Sequence, residues 1–288
     1  MTKYSIIYAT NEETGELEES PSNIVALNPG DRVIRKNQLE RIIQKYNRTK
    51  RKLAFTWVKF NYNKPYMPDL APANLTRLMV LIVGCNIDGQ IYYKTDVEKN
   101  LNLPHSTSFK FLNELINLKL IHIKNDIVHI NQKWFSKGKI KTKDNFIRLY
   151  RNFTQELYDN AESTSEHKTL SYIFKMIPYV NRQTNILCHN QTEQNLDRII
   201  PMKFNKFCEI VGYDKTHADR LRKKLSTLRV HGELVIAFYD DLDELNPTGK
   251  YAVINPHLFF GGEHDGIAKT IIELFNTERI DYLNKNET

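Results

Sequence analysis

Apolar positions along the chain follow two rhythms, a period of two and a period near 3.6, and their order outlines the fold. "YSIIYAT" near the start reads as a short strand, followed by an acidic, turn-rich segment ending in "NPGD". "RKNQLERIIQKYNRTKRK" places Leu39, Ile42, Ile43 and Tyr46 on one helix face, and the aromatic and β-branched "LAFTWVKFNY" reads as a strand. After Pro72, "PANLTRLMVLIVGC" predicts a helix with Leu75, Leu78, Met79 and Ile82 inward. "QIYYK" predicts a short strand, and "TDVEKNLNL" a helix capped by Thr95 with Glu98 three residues on. A further helix follows Pro104 with Leu112, Leu115 and Ile116 inward, and "LIHIKNDIVHINQ" predicts a hairpin turning at Lys124, Asn125 and Asp126.

Beyond the lysine-rich stretch "SKGKIKTKDN", Phe146, Leu149, Phe153 and Leu157 predict one amphipathic helix. The polar "DNAESTSE" marks the best domain boundary, and the same element order then returns. "HKTLSYIFKMIPYV" predicts a helix ended by Pro178, "NILCHN" a strand, and "QTEQNLDRII" an insertion. "PMKFNKFCEIVGY" predicts a helix closed by Gly212. Asp214 caps the next helix, whose inner face carries Leu221, Leu225 and Leu228, and two strands about a long acidic turn complete the unit. A last helix carries Ile267, Ile271, Leu274 and Phe275.

Two phrases mark the ends of the repeated order, "HINQKWFSKG" at 129–138 and "VINPHLFFGG" at 253–262. Ile130 and Ile254, Asn131 and Asn255, Phe135 and Phe259, and Gly138 and Gly262 fall in register. Helix, strand, helix, helix, hairpin is the order of a winged helix. The expected fold class is therefore α+β and mainly helical, with tandem winged-helix domains joined by a helical linker. The expected boundaries are an N-terminal strand and helix extension at 1–62, a first winged helix at 63–140 and a basic, helical linker at 141–165. A second winged helix at 166–262 and a C-terminal helix at 263–288 complete the division.

Composition changes the picture in one direction. The chain is 41% hydrophobic and 26% charged with a formal net charge of +7, so it is globular and an anionic partner is favoured. The three cysteines, Cys85, Cys188 and Cys208, form no CxxC pair and read as small buried hydrophobes. Neither a signal peptide nor an apolar run long enough to span a membrane is present, so a cytoplasmic protein without membrane partners is expected.

A helix that enters a DNA groove needs an inner face anchored by leucines and an outer face of polar and basic groups. Ser106, Thr107, Phe109, Lys110 and Asn113 meet that requirement in the first unit. Thr216, His217 and the run "RLRKK", with Arg220, Arg222, Lys223 and Lys224, meet it more strongly in the second. Arg48, Lys50, Arg51 and Lys52, with Lys137, Lys139, Lys141 and Lys143 in the connector, are candidate phosphate contacts. A solvated basic face would look the same for each of these groups. Trp57, Trp134, Phe259 and Phe260 are expected in the core or at a domain interface rather than stacked on bases. The acidic "DDLDEL" is unfavourable beside phosphate and suits a protein partner better.

Neither a GxxxxGK[ST] phosphate loop nor a His-hydrophobic-His triplet occurs, and His122 and His129 lie on different strands of the hairpin. An enzyme, a metal site and a cofactor are not expected.

The residues "KYAVINPHLFFGG" followed by "TIIELF", and the acidic start "YATNEETGELEE", resemble Firmicute plasmid replication proteins of the RepL type. The resemblance covers about the last third of the chain and a few N-terminal residues; two units and an insertion depart from it. It implies double-stranded DNA binding at an origin or operator in a plasmid or phage. The leading expectation is a sequence-specific, non-catalytic replication initiator; a phage transcription regulator and a protein-interaction scaffold are the alternatives. A homodimer and replication or transcription proteins are further candidate partners.

Overall fold

The computed structural model describes residues 8–10, 17–19, 55–60, 69–86, 90–137, 145–241, 244–245, 249–262 and 275. The chain divides into two compact units, residues 1–52 and 53–288. In the first, β1 (Tyr8–Thr10) and β2 (Leu17–Glu19) pair antiparallel. The helix expected over 35–52 lies outside the described residues.

The second unit opens with β3 (Phe55–Phe60), α1 (Pro72–Val83), β4 (Gln90–Tyr93), α2 (Lys94–Asn100) and α3 (His105–Asn117). β5 (Ile121–Lys124), β6 (Ile127–Ile130), β7 (Phe135–Ser136) and β8 (Asn145–Tyr150) follow. Then come α4 (Arg151–Asp159), α5 (Thr164–Lys175), α6 (Phe204–Ile210) and α7 (Ala218–Ser226). β9 (Arg229–Val230), β10 (Glu233–Leu234), β11 (Ile236–Asp241), β12 (Glu244–Leu245), β13 (Tyr251–Ile254) and β14 (Phe259–Phe260) close the order.

Local signals place many of these elements. Pro72 starts α1, where its missing N–H costs nothing. Ser163 and Glu166 form a capping box at α5, so the polar stretch expected as a domain boundary is a tight turn between helices. Asn125 and Asp126 both take positive φ between β5 and β6, the two-residue turn whose twist suits a hairpin. α2 begins at Lys94, one residue before Thr95, and the Glu98 carboxylate meets His105 Nδ1 at 2.6 Å.

The expectation of a mainly helical chain with two winged-helix domains on a helical linker is overturned. Over 72–130 the order helix, strand, helix, helix, hairpin stands, with a three-stranded β4-β6-β5 sheet. The second half lacks that sheet. Its expected strand at 185–190 makes only isolated bridges, Val180 to Leu187, Ile186 to Val253 and Cys188 to Pro201, while β11 and β13 take β12 as third partner. The expected linker begins not with a helix but with β8, because Phe146, Ile147 and Leu149 are buried in the middle of a sheet covered on both faces. One hydrophobic core runs from Val58 to Phe259 through both halves.

That core is organised by a four-stranded antiparallel sheet in the order β14-β8-β3-β7. The two repeated phrases supply its two edges. Val58 pairs with Phe135 and Trp57 with Ser136 on one side; Leu149 pairs with Phe259 and Arg148 with Phe260 on the other. The amide of Lys59 donates to Trp134 O and that of Tyr150 to Leu258 O, both at 2.9 Å. Trp57 and Arg148 therefore hold equivalent places in the two halves, and they face each other in the β3–β8 pair. A local two-fold axis passes between them.

The equivalent helices α1 and α5 pack against each other beside this sheet. From Leu75 to Val83 every residue of α1 is buried, including Thr76 and Arg77. A helix without a solvated face needs cover on all sides, which one small domain cannot supply. Phe275 is buried in a second cluster with Leu234, Ala237, Tyr239, Val253 and Phe260. The rest of the expected C-terminal helix lies outside the described residues.

Asn131 and Asn255 explain why the phrases repeat. Asn131 Oδ1 accepts from the Lys133 amide, and its Nδ2 donates to Lys119 O at 2.6 Å. Asn255 Oδ1 accepts from the His257 amide, and its Nδ2 donates to Leu234 O at 2.8 Å and to Glu233. Each asparagine ties the end of a hairpin to its beginning and turns the chain toward the shared sheet.

Candidate nucleic-acid interface

α7 is set up by a chain of local devices. Gly212 at φ +72° turns the chain after α6. Asp214 accepts from the Thr216 amide at 2.9 Å and from its hydroxyl at 2.7 Å, forming a short 3-10 turn that leads into α7. These hydrogen bonds hold the Asp214 carboxyl below the usual range. Ala218, Leu221 and Leu225 are buried and anchor the helix.

The opposite face is solvated. Arg220, Lys223 and Lys224 are exposed at helical spacing, and Lys215, Thr216 and His217 are exposed in the turn before them. His217 Nδ1 lies 3.3 Å from Asp214. Arg222 stands apart: its side chain is 13% exposed, pairs with Asp219 and donates to Gly249 O at 2.7 Å. It ties α7 to the loop before β13 rather than facing outward with its neighbours. Lys215 was not singled out from sequence; its only signal there is its charge beside the cap.

In α3, Ser108, Phe111, Leu112 and Leu115 are buried, and Ser106, Phe109, Lys110 and Asn113 are exposed. Thr107 is half-buried. Ile116, expected inward, is 37% exposed. Glu114 is engaged by the Ala71 amide and the Asn74 side chain, which removes a free carboxylate from this side.

Among the phosphate candidates, Lys137 is corrected. It is buried at 7% exposure, with Nζ donating to Val83 O at 3.0 Å and to Thr56 Oγ1 at 3.3 Å. Burial holds its amine below the usual lysine range, opposed by nearby Cys85. The lysine serves the carbonyl end of α1, where a cation suits the helix dipole. Arg48, Lys50, Arg51, Lys52, Lys139, Lys141 and Lys143 lie outside the described residues.

The aromatic side chains behave as expected of core residues: Phe259 and Phe260 are buried, Trp57 and Trp134 half-buried. All three cysteines are free and buried. In the acidic turn, Asp240 pairs with Lys250 at 3.5 Å. His122 and His129 are directly paired across β5 and β6, with rings stacked 5.0 Å apart. Burial first, then the neighbouring His122 and Lys124, hold His129 below the usual histidine range. Among the described residues, no group of three or more His, Cys, Asp or Glu is placed to hold a metal ion. No described helix is long and apolar enough to cross a membrane.

In comparisons with known proteins, no family model, no curated protein and no solved structure matches the chain. The resemblance to RepL-type proteins rests on the residues quoted for it.

Proposed function

We propose that the chain is a non-catalytic, cytoplasmic protein that binds double-stranded DNA in a sequence-specific way. The observation that carries this reading is the solvated face of α7. Three cations, Arg220, Lys223 and Lys224, stand there on a helix pinned by Leu221 and Leu225, in a chain of net charge +7. Lysines of this kind neutralise phosphates, and an arginine at such a position bonds the O6 and N7 edge of guanine. Of the roles such binding serves, initiation of plasmid or phage replication is favoured by the RepL-type resemblance, with operator binding by a transcription regulator as second choice.

One observation favours a scaffold instead. Leu196 and Ile200 are 53% and 58% exposed on a loop braced by Asn190, an apolar surface suited to a protein partner.

Binding of random-sequence and genomic duplex to the full chain across a salt series tests the reading. Affinity should fall steeply with salt, and replacing Arg220, Lys223 and Lys224 together by Ala should lower it at least tenfold and flatten the slope. Absence of duplex binding at low salt would leave the scaffold reading standing.

A further inference from the structure

The C-terminal end of α7 borders a cavity of about 230 Å³, whose other walls are the end of α4 and the first turns of α5. Part of its lining is apolar: Leu157 and Leu170 are buried, Ala161 and Leu228 half-buried. Two opposite charges stand beside these groups. Glu166 comes from the first turn of α5 and Lys224 from the last turn of α7, and both are exposed. They line one cavity without pairing with each other. The third charged residue of the lining, Arg229, is engaged: its guanidinium donates to Ser226 O at 2.8 Å and to Leu228 O at 3.3 Å.

The anion is set by local structure. Glu166 Oε2 accepts from Ser163 N at 2.9 Å and from Ser163 Oγ at 3.0 Å, the capping box of α5. Those bonds hold the Glu166 carboxyl below the usual range, so its charge persists at neutral pH. Both fall on Oε2, and Oε1 is the oxygen that a donor in the cavity would take.

The lining restricts what enters. A volume below the roughly 300–1,000 Å³ of drug-sized sites calls for a small molecule. A carboxylate alone would meet Lys224 but be repelled by Glu166, and an amine alone would meet the reverse. A zwitterion satisfies both, and the leucines favour an aliphatic side chain.

We propose that this cavity binds a small zwitterionic amino acid with an apolar side chain. Its ammonium meets Glu166, its carboxylate meets Lys224, and its side chain packs on Leu157, Leu170 and Leu228. Lys224 is also one of the three cations on the solvated face of α7. Resting on the duplex-binding reading above, the bound carboxylate competes with phosphate for Lys224, so the ligand weakens duplex binding.

Calorimetric titration of the full chain without DNA tests the cavity with three probes: L-leucine, isocaproate, which lacks the ammonium, and isopentylamine, which lacks the carboxylate. Leucine should bind about two- to fivefold tighter than either. Glu166→Gln keeps the capping box, which glutamine also closes, and removes the charge. It should lower leucine affinity about two- to fivefold without lowering that of isocaproate. Lys224→Gln should lower leucine affinity by a similar factor without lowering that of isopentylamine. Absence of leucine binding to the wild type at millimolar concentration overturns the proposal. Equal affinity for the three probes overturns it too, as does a loss that falls on all three alike in either variant. If a variant does not fold, the wild-type ranking of the probes decides alone. Saturating leucine should also lower the slope of log affinity for duplex against log salt by about one. An unchanged slope with leucine bound overturns the coupling to duplex. Absence of duplex binding at low salt removes the duplex-binding reading itself, and the titrations without DNA still decide the cavity.

Discussion

Trp57 and Arg148 face each other across the central strand pair, the Arg148 guanidinium lying 5.9 Å from the Trp57 ring. Arg148 also lies 5.5 Å from the Phe260 ring and donates to Gly262 O. One side chain thus touches the opening strand of the first half and the closing strand of the second.

Because the halves share a core, residues 53–262 should unfold in one transition. Both tryptophans, Trp57 and Trp134, lie in the first half, so their fluorescence reports on that half while far-UV circular dichroism reports on both. The two urea curves should coincide. Arg148→Ala should lower stability by about 1–2 kcal/mol through lost cation–π and hydrogen-bond contacts and keep one transition. Two separated midpoints in the wild type would show that the halves fold independently.

The paired asparagines should differ in weight. Asn255 is fully buried and Asn131 half-buried, and Asn255 adds a bond to Glu233 to the two backbone bonds that the asparagines share in kind. Asn255→Ala leaves the Leu234 carbonyl, the Glu233 carboxylate and the His257 amide without their partner at a buried position, at a cost of about 2–4 kcal/mol. Asn131→Ala, nearer to water, should cost about 1 kcal/mol. Denaturant titration of both variants checks the order.

Three cations of similar appearance in sequence should separate by assay. Arg220→Ala should weaken duplex binding about tenfold and leave stability within about 0.5 kcal/mol, since its side chain is solvated. Arg222→Ala should mainly lower stability, because it releases α7 from Gly249. Lys137→Ala should cost about 1–3 kcal/mol by leaving Val83 O uncapped, and should leave the salt slope of binding unchanged. A shallower salt slope in Lys137→Ala would restore it as a phosphate contact.

Alkaline pH should destabilise the fold through its thiols. Burial raises Cys188 and Cys208 from 9.0 to about 12. Between those values the unfolded chain has released these protons and the folded chain has not, so stability falls as pH rises. The loss should be roughly 1 kcal/mol per thiol for each pH unit above 9. Cys208→Ala should flatten the slope of stability against pH between 9 and 11, measured by urea denaturation at each pH. An unchanged slope would mean that the thiol is not what titrates.

Much of the local structure was legible without tertiary information. Pro72 as the first residue of α1, Pro104 before α3, Gly212 and Asp214 around α6 and α7, and Asn125–Asp126 in the hairpin act through their own backbone preferences. The solvated cations of α7 follow from leucines at helical spacing, so Arg220, Lys223 and Lys224 were placed by periodicity alone. Arg222 was not, because its partner is the distant carbonyl of Gly249.

Tertiary structure alone decided how the two halves are joined. Phe146, Leu149, Phe153 and Leu157 fit a helical stripe, yet the first two belong to a strand whose partner, β3, lies far back in the chain. A central strand covered on both faces loses the alternation that identifies an edge strand, and its hydrogen-bonding partner leaves no trace in a local window. Lys137 reads as a linker cation until the end of α1 is brought beside it. The repeated phrases at 129–138 and 253–262 did announce an internal repeat; that they form opposite edges of one sheet depended on burial and pairing across the whole fold.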